Sequence, residues 1–471
     1  MAPNFFELIR ATLLRHLEVP LVVWPAGPGG CRAFTGAAIL SRTQALREAL
    51  TAAGVPAAAP VLMALPVDMD LVCALLAVQA LGAVPVLPPA SASPRKRWRL
   101  LRRSGIRTVI VQRPGPGLRL LAHLLGLRLV NVAAVTGPTK PTEPAAPVAA
   151  GQAALVSHSS GSTGPSKAIR RGHGVLRAQH EAIKAMFPPW VGQRDFPLFP
   201  NLLLHNLAAG VVSIMPDVRW GSAELEPAQL VAQLVREQVQ TLTGNVHYFN
   251  ALLGYLRRHP VALPAVVGIG VGGSPVPEGL VQALRACFPG AAVHVIYGSS
   301  EAAPIAVRRV GEVPADPCAG YCVGALLAAL EWQLRPLGRL RNGQMAGEVL
   351  VRGAHVASSQ PGEWLPTGDY GYVSDGQLFL TGRKGNERLH QGVQHYQVEH
   401  ALSQLPGVER VAARAGPAGF TVFVQGPACP RAIAGVLARD FPPGLCGAVR
   451  FRPRLPVDAR HHSKIIYDQL R

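Results

Sequence analysis

The stretch Ser159-Ser160-Gly161-Ser162-Thr163-Gly164-Pro165-Ser166-Lys167 follows an apolar run at residues 153–156 and precedes a helical pattern that begins at Gly174. Serine, threonine and glycine offer closely spaced backbone N–H groups and hydroxyls, and Lys167 adds a positive charge. This composition predicts a phosphate-binding loop, with an ordinary polar surface loop as the alternative. Because only two residues separate Gly164 from Lys167, the loop is not of the G-x-x-x-x-G-K-[ST] type.

Four further motifs lie downstream of this loop. In chain order they are Gly272-Gly273-Ser274-Pro275; Tyr297-Gly298-Ser299-Ser300-Glu301; Thr367-Gly368-Asp369 with Asp375-Gly376 and Gly382-Arg383; and Lys464 at the end of Pro456-Val457-Asp458-Ala459-Arg460-His461-His462-Ser463-Lys464. Glycines 268, 270 and 273 also match G-x-G-x-x-G. A dinucleotide site would need an acidic residue about 20 positions further on, and the sequence there reads Val293-His294-Val295-Ile296. We therefore do not expect a dinucleotide site.

The loop and the four downstream motifs, in this order, resemble those of the AMP-forming acyl-activating superfamily. That superfamily includes acyl-CoA synthetases, the adenylation domains of peptide synthetases, and luciferases. Its loop pattern is roughly [ST]-S-G-[ST]-T-G-x-P-K, and here Pro165 and Ser166 stand in exchanged order. In the motif Y-G-x-T-E, Ser300 keeps the hydroxyl of the usual threonine. The resemblance runs from residue 159 to residue 464 and implies ATP and Mg²⁺ as ligands.

The resemblance also implies a role for individual residues. The ATP- and AMP-binding set is Ser160, Gly161, Ser162, Thr163, Gly164, Lys167, Gly273, Ser274, Tyr297, Gly298, Ser299, Asp369 and Arg383. Within it, Ser160, Ser162, Thr163 and Lys167 position the β- and γ-phosphates, Asp369 accepts both ribose hydroxyls, and Arg383 reaches the ribose. The catalytic set is Lys464, Ser300, Glu301 and His205.

Each member of the catalytic set has its own implied task. Ser300 contacts the α-phosphate, and Glu301 helps to hold Mg²⁺, a hard cation that prefers carboxylate oxygens. Lys464 meets the α-phosphate and the carboxylate when the small domain closes about a hinge, for which Lys384 is the expected pivot. His205 lies where many members place an aromatic residue or histidine beside the acyl carboxylate; a packed core histidine is the alternative.

The chemistry explains why these residue types are needed. A carboxylate is a poor electrophile, but attack on the α-phosphate of ATP converts it to an acyl-AMP from which AMP departs readily. Negative charge grows on the phosphoryl oxygens during this step, so cations and hydrogen-bond donors must already be aimed at them.

The C-terminal region departs from an ordinary acyl-CoA synthetase. After Gly382-Arg383-Lys384 the chain reads Leu389-His390-Gln391-Gly392-Val393-Gln394-His395-Tyr396-Gln397-Val398-Glu399, and 88 residues follow Arg383. This region, the Leu204-His205-Asn206-Leu207 segment and the Lys464 motif resemble the β-lactone synthetases of bacterial olefin and lactone pathways. Those enzymes adenylate a β-hydroxy acid and let its own hydroxyl displace AMP. Transfer to CoA or an acyl carrier protein, and a non-catalytic acyl-AMP-binding module, are the alternatives.

Strand-like and helical patterns alternate up to about residue 380, which predicts an α/β fold with largely parallel, buried strands. Predicted strands lie at residues 61–65, 83–87, 108–112, 154–157, 266–270, 293–297 and 348–352, and predicted helices at 223–240, 246–259 and 278–287. After Arg383 the pattern of predicted elements changes to a short unit of mixed helices and strands. We therefore expect a large N-terminal α/β domain at residues 1–382, which binds AMP and the acyl group, and a small mobile α+β lid at residues 383–471.

Composition excludes several classes of protein. Of 471 residues, 49% are hydrophobic and 15% charged, which excludes intrinsic disorder. The seven cysteines are too sparse for a disulfide scaffold, so reduced thiols in the cytoplasm are expected. The apolar run at residues 71–90 contains Gln79, Gly82 and three prolines, which predict a helix and a short strand instead of a transmembrane segment.

The basic excess is large, with 46 Lys and Arg against 27 Asp and Glu and a net charge of +19. The densest cluster, at residues 95–103, is interpreted as a solvated helix face. No motif typical of nucleic-acid binding accompanies it, so no nucleic-acid partner is expected. The expected partners are a small carboxylic acid and, in the ligase alternative, CoA or an acyl carrier protein.

Overall fold

The computed structural model describes residues 4–27, 29–89, 101, 104–137, 143–149, 151–158, 167–220, 222–311, 316–358, 360, 362–458 and 462–470. These residues form two compact units. The first contains the described residues up to Thr241, and the second begins at Leu242. The predicted boundary between residues 382 and 383 is a different division, and it stays a prediction.

The first unit combines seven described helices with two groups of strands. Its helices are α1 (Phe5–Arg15), α2 (Gly36–Ala52), α3 (Met69–Ala80), α4 (Pro116–Leu124), α5 (His173–Met186), α6 (Leu202–Ala209) and α7 (Pro227–Arg236). Its strands are β1 (Pro20–Pro25), β2 (Cys31–Thr35), β3 (Pro60–Ala64), β4 (Val84–Val86), β5 (Thr108–Val111), β6 (Arg128–Asn131), β7 (Ala153–His158), β8 (Ala168–Gly172), β9 (Arg194–Pro197) and β10 (Val212–Ile214). One sheet has the order β6-β5-β3-β4-β7-β8, and the other group has the order β9-β10-β1-β2.

The strands of the first unit are mostly parallel, as predicted. In the six-stranded sheet only the β7–β8 pair is antiparallel. The apolar run at residues 71–90 forms most of α3 and then β4, again as predicted. In the part of the chain that the structure describes, no helix has the length and apolar character needed to cross a bilayer.

The second unit consists of a long run of strands, four described helices and a small C-terminal sheet. Its strands are β11 (Thr241–Asn245), β12 (Gly268–Gly272), β13 (Ala292–Tyr297), β14 (Ala306–Arg309), β15 (Tyr321–Leu326), β16 (Glu331–Arg339), β17 (Met345–Arg352), β18 (Leu365–Ser374), β19 (Gln377–Arg383), β20 (Arg410–Ala415), β21 (Phe420–Gln425) and β22 (Cys446–Phe451). Its helices are α8 (Val246–Arg258), α9 (Glu278–Cys287), α10 (His395–Ser403) and α11 (Pro430–Asp440).

Strand direction changes along the second unit. The strands β12 and β13 are parallel, whereas β14 to β19 form antiparallel pairs in the order β16-β17-β18-β19-β15-β14. The parallel arrangement predicted up to residue 380 therefore ends at β13. Short turns such as Asp375-Gly376 allow direct hairpins, which need no crossover helix. The β20-β21-β22 sheet, α10 and α11 share a core of their own, confirming a separate small C-terminal domain.

One buried polar cluster in the first unit explains the sequence Leu204-His205-Asn206-Leu207. The Asn206 amide donates to Asp195 Oδ2 (2.8 Å) and to Ser213 Oγ (2.9 Å), and Thr241 Oγ1 donates to Asp195 Oδ1 (2.7 Å). Burial raises the pKa of Asp195 above its ordinary value. The carboxyl group is therefore accommodated only because these donors surround it.

We expect Asn206→Leu to lower the free energy of unfolding by about 2–4 kcal/mol, because it removes one of the donors to a buried carboxyl group. Chemical denaturation measures the change. The matched control is Asn250→Leu, which alters an exposed asparagine of α8 and should change the value by less than about 0.5 kcal/mol. Equal effects of the two substitutions would contradict the assignment.

Candidate active site

The predicted phosphate-binding loop connects two antiparallel neighbours. Strand β7 ends at His158, β8 begins at Ala168, and these two residues are register partners. Residues 159–166 lie outside the described residues, and with them Ser160, Gly161, Ser162, Thr163 and Gly164. Lys167 is described and exposed at the far end of the loop.

The sequence predicts no element between Lys167 and the helical pattern that begins at Gly174, so the strand β8 is found only in the structure. That helix, α5, begins at His173, one residue earlier than predicted and after β8. The burial of β8 alternates, with Ile169 and Arg171 inside, and the Arg171 guanidinium donates to Ser157 Oγ on β7 (3.0 Å). Two adjacent arginines obscured this alternation in the sequence.

Two predicted motifs lie side by side in the second unit. Strands β12 and β13 are parallel neighbours with Gly272 opposite Ile296, so the glycine-rich turn and the Tyr297 motif both follow the carboxyl edge of the same pair. A Cβ at Gly272 would lie 2.4 Å from the Ile296 carbonyl oxygen, so only glycine fits there. The Ser274 hydroxyl in the turn is buried and has no hydrogen-bond partner among the described residues. Such an orphaned group is a suitable contact for a bound ligand.

The Tyr297-Gly298-Ser299-Ser300-Glu301 motif forms a tight loop after β13. The Ser299 hydroxyl accepts from the backbone N–H groups of Glu301 (3.3 Å) and Ala302 (3.2 Å). The Glu301 carbonyl oxygen accepts from the backbone of Ala357 (2.7 Å). The loop backbone is thereby fixed, while the side chains of Ser300 and Glu301 stay partly exposed.

The Glu301 carboxylate fits a magnesium ion that shares its shell with phosphates and water. Mg²⁺ is usually bound through one or two carboxylates plus substrate phosphates, not by a cage of protein ligands. The described residues contain no group of three or more His, Cys, Asp or Glu side chains that could hold a metal ion.

The Asp369 carboxylate is buried between two donors. The Tyr297 hydroxyl donates to Oδ2 (2.9 Å), and the Arg383 guanidinium donates to Oδ1. Asp369 and Arg383 are register partners on β18 and β19, which explains why the two motifs that contain them come together. Burial and the nearby Asp369 raise the pKa of Tyr297 well above its ordinary value, and Asp369 raises the pKa of Arg383. The site therefore contains a neutral phenol, a carboxylate and a cation.

The Asp375-Gly376 pair has a structural task. The two residues join β18 to β19, with Ser374 opposite Gln377, and both have positive φ angles, +49° and +73°. This is the geometry of a two-residue hairpin turn, for which Asp-Gly is a favoured sequence. The turn fixes the pairing as far as Gly371 opposite Leu380, and a register shift between Tyr370 and Gly371 then brings Arg383 opposite Asp369.

The backbone of Arg383 is hydrogen-bonded to a group of polar residues that was not predicted from the sequence. Its N–H donates to His395 Nε2 (3.0 Å), so the ring proton lies on Nδ1, which donates to Glu399 Oε1 (3.1 Å). Glu399 also accepts from the Tyr467 hydroxyl (2.8 and 3.0 Å). In the sequence, the pair His395 and Glu399 could have been found from its spacing, because side chains four residues apart on a helix lie next to each other. Beside the predicted pivot, the Lys384 N–H donates to the Gly368 carbonyl oxygen (2.7 Å).

Lys464 lies in a closed polar loop near the end of the chain. Its backbone N–H donates to Asp458 Oδ1 (3.1 Å), and its carbonyl oxygen accepts from the Asp458 N–H (2.9 Å). A β-bridge between Val457 and Ile465 closes the same loop. Three residues later, Tyr467 bonds Glu399, so the loop is tied to α10. The catalytic role of Lys464 stays a prediction.

His205 lies in the first unit, against a second histidine. Its Nδ1 is 3.0 Å from Nδ1 of His180 on α5, so one ring donates and the other accepts. Burial, and then the neighbouring His180, lower the pKa of His205 to about 3, and burial also lowers the pKa of His180. Both imidazoles are therefore neutral near pH 7. The expected role of His205 beside an acyl carboxylate stays a prediction.

Solved structures with this fold are adenylate-forming enzymes. The structure of the anthranilate CoA ligase AuaEII in complex with anthranoyl-AMP superimposes with a TM-score of 0.82 and 19% sequence identity. The match covers 99% of this chain and 96% of the ligase chain. The structure of the O-succinylbenzoate coenzyme A synthetase MenE from Bacillus subtilis, in complex with ATP and magnesium ion, superimposes with a TM-score of 0.77 and 19% sequence identity. The match covers 100% of this chain and 99% of the synthetase chain. These similarities establish the fold.

The family is established by sequence. A family model described as AMP-binding enzyme matches residues 10–359, and this chain belongs to that family. The olefin beta-lactone synthetases of Stenotrophomonas maltophilia (strain K279a) and Xanthomonas campestris pv. campestris are each 27% identical, over 368 and 372 residues. Each match covers 67% of this chain and 66% of the relative, so the chain spans just under two thirds of their length. A 4-chlorobenzoate–CoA ligase of Arthrobacter sp. is 24% identical over 449 residues, and the match covers 86% of this chain and 82% of the ligase.

Asp369 is predicted to accept charge-assisted hydrogen bonds from the ribose hydroxyls, each worth about 1.5–3 kcal/mol, so we expect Asp369→Ala to lower ATP affinity at least about tenfold. Isothermal titration calorimetry measures the affinity. The matched control is Asp375→Asn, which alters an exposed turn residue of the same motif and should leave nucleotide affinity unchanged. A folded Asp369→Ala protein with wild-type affinity would rule out the ribose contact.

Proposed function

We propose that this protein activates a carboxylic acid as an acyl-adenylate at the expense of ATP, and that the acid's own β-hydroxyl then displaces AMP to form a β-lactone. The observation that carries the first step is the buried Asp369 carboxylate, held by the Tyr297 hydroxyl and the Arg383 guanidinium. A carboxylate fixed in this way presents oxygen acceptors to a vicinal diol such as the ribose of ATP. The family membership supports the same reading.

In the first step, a carboxylate oxygen of the acid attacks the α-phosphorus of ATP. The bond between that phosphorus and the bridging oxygen breaks, and pyrophosphate leaves with the bonding electrons. We assign Lys464 and the Ser300 hydroxyl to the charge that accumulates on the α-phosphoryl oxygens, since donors aimed at developing charge lower the barrier most. Lys167 and the loop before it are assigned to the β- and γ-phosphates.

Magnesium, when bound with the nucleotide, neutralises phosphate charge. Glu301 is the protein residue that would hold it. His205 is assigned to the acyl carboxylate, and its neutral imidazole can orient an anion by a single hydrogen bond without adding a charge.

In the second step, the β-hydroxyl oxygen attacks the acyl carbonyl carbon. The hydroxyl proton is lost to solvent or a base, the bond to the phosphate oxygen breaks, and AMP leaves as a four-membered lactone ring closes. Two relatives named olefin beta-lactone synthetase support this outcome. So does the sequence after Arg383, which departs from the pattern of an ordinary acyl-CoA synthetase.

A thioester-forming ligase is the second candidate function. It is favoured by the relative named 4-chlorobenzoate–CoA ligase, whose match extends over 86% of this chain. In this alternative the sulfur of CoA or of an acyl carrier protein attacks the same carbonyl carbon. The adenylation step is identical in both cases.

We expect a carboxylic acid to drive exchange of labelled pyrophosphate into ATP, in a reaction that requires Mg²⁺. A panel of short and long aliphatic, β-hydroxy and aryl acids covers the proposed substrate range. If no acid supports exchange while the protein still binds AMP, the non-catalytic binding module is the correct interpretation.

We expect Lys464→Ala to slow adenylation by about 10²–10³-fold, the scale of losing one electrostatic group aimed at a transition state. Synthetic acyl-AMP supplied to the same variant should still be converted at a near wild-type rate, since the lysine is proposed to leave before the second step. Arg454→Ala, which changes an exposed cation of the C-terminal domain, is the matched control and should affect neither step.

The product of the acyl-AMP reaction distinguishes the two functions. A lactone formed from β-hydroxyacyl-AMP without any thiol, detected by mass spectrometry, supports intramolecular closure. Turnover only with CoA or carrier protein supports the ligase. Equal slowing of both steps by Lys464→Ala would contradict the proposed movement of the lysine.

A further inference from the structure

The helix α4 (Pro116–Leu124) exposes leucine where a surface helix normally exposes polar side chains. The exposed fractions are 71% for Leu124, 62% for Leu120, 51% for Leu121 and 44% for Leu118. The helix has one buried residue, Ala122. Residues two positions apart on a helix lie about 200° apart, so Leu120 and Leu124 both lie opposite Ala122. Leu120 and Leu124 therefore face away from the protein, the reverse of the usual arrangement for apolar side chains, whereas Leu118 lies four residues before Ala122 and shares its side of the helix.

The sequence on both sides of this helix is basic. Residues 71–142 contain 11 Lys and Arg and no Asp or Glu. Arg119 lies on α4 itself, and Arg113 precedes its first turn by three residues; both are exposed. At the other end of the helix, the exposed Arg107 and Arg128 are neighbours, because the Arg128 N–H donates to the Arg107 carbonyl oxygen (2.8 Å). Cations are thus present on the helix and beyond both of its ends.

We propose that this part of the first unit, which we call the α4 surface, binds the surface of an anionic lipid membrane. The α4 surface consists of Leu120, Leu121, Leu124, Arg107, Arg113, Arg119 and Arg128. The leucines enter the boundary between headgroups and acyl chains, and the arginines bind lipid phosphates. The helix lies along the membrane surface; it has nine residues, too few to cross a bilayer.

Charge decides between a membrane and a second copy of this chain. An apolar patch alone would suit either occupant. In a two-fold contact between two α4 surfaces, however, the arginines of one copy would face those of the other, and the 72 residues from 71 to 142 carry no carboxylate to offset them. An anionic membrane supplies an apolar layer and negative charge together, so it complements both features of the surface.

The test is co-sedimentation of the full chain with vesicles at low salt. One set of vesicles is pure phosphatidylcholine, and the other also contains phosphatidylglycerol. We expect strong binding only to the anionic set. The double variant L120Q/L124Q should lower the partition coefficient about tenfold or more, since two leucines no longer transfer from water. The triple variant R113Q/R119Q/R128Q should lower binding to the anionic vesicles by about fivefold per arginine.

The control is L17Q/L337Q, which alters two other exposed leucines, with exposed fractions of 41% and 40%, outside the α4 surface. It should bind anionic vesicles as the wild type does. Equal binding of the wild type to both vesicle sets, or equal loss in the control, would overturn the proposal. So would a dimer in analytical ultracentrifugation that L120Q/L124Q dissociates while no variant binds vesicles, because a second copy would then cover the helix.

This test is independent of the proposed adenylation. None of the substituted residues belongs to the assigned catalytic or nucleotide-binding sets, so all variants should keep the same rate of pyrophosphate exchange in solution. Loss of vesicle binding with intact exchange would locate the change to the α4 surface.

Discussion

A buried carboxylate is tolerated only when its oxygens are hydrogen-bonded, and in the second unit this constraint falls on Asp369. Its two oxygens are bonded by the side chains of Tyr297 and Arg383, which come from different strands. The β18–β19 hairpin, with its turn at Asp375-Gly376 and a register shift beside Tyr370, places Arg383 opposite Asp369, and Tyr297 ends the parallel pair β12–β13. Motifs that are separated by 72 residues in sequence, at positions 297 and 369, therefore meet at one carboxyl group.

The same network continues into the C-terminal domain. The backbone of Arg383 is bonded by His395, His395 by Glu399, and Glu399 by Tyr467, three residues beyond Lys464. Each link is a directional hydrogen bond between buried or partly buried polar groups, and such bonds depend steeply on geometry. The proposed hinge therefore begins beside an ordered polar network that connects the Asp369 carboxylate with the segment that carries Lys464.

Apolar residues have two different roles in this chain. Most of them, such as those of α3, are buried in the cores. The leucines of α4 are exposed, in a region where the sequence carries only positive charges. Composition alone could not separate these cases, because both segments are leucine-rich. Only the burial of Ala122 on the opposite side fixes the direction in which Leu120 and Leu124 point.

The sequence by itself determined the family, the α/β class and most of the strands that carry motifs, because short motifs with fixed local geometry and runs of apolar residues are encoded locally. It predicted Tyr297, Asp369 and Arg383 as candidate nucleotide-binding residues. It did not reveal that Tyr297 and Arg383 both donate hydrogen bonds to the carboxyl group of Asp369. Strand β8, the antiparallel strands after β13, the paired histidines 180 and 205, and the His395–Glu399–Tyr467 network were decided by the tertiary structure. These features depend on strand pairing and on contacts between residues far apart in sequence, and a buried polar side chain becomes recognisable only when its partner is known.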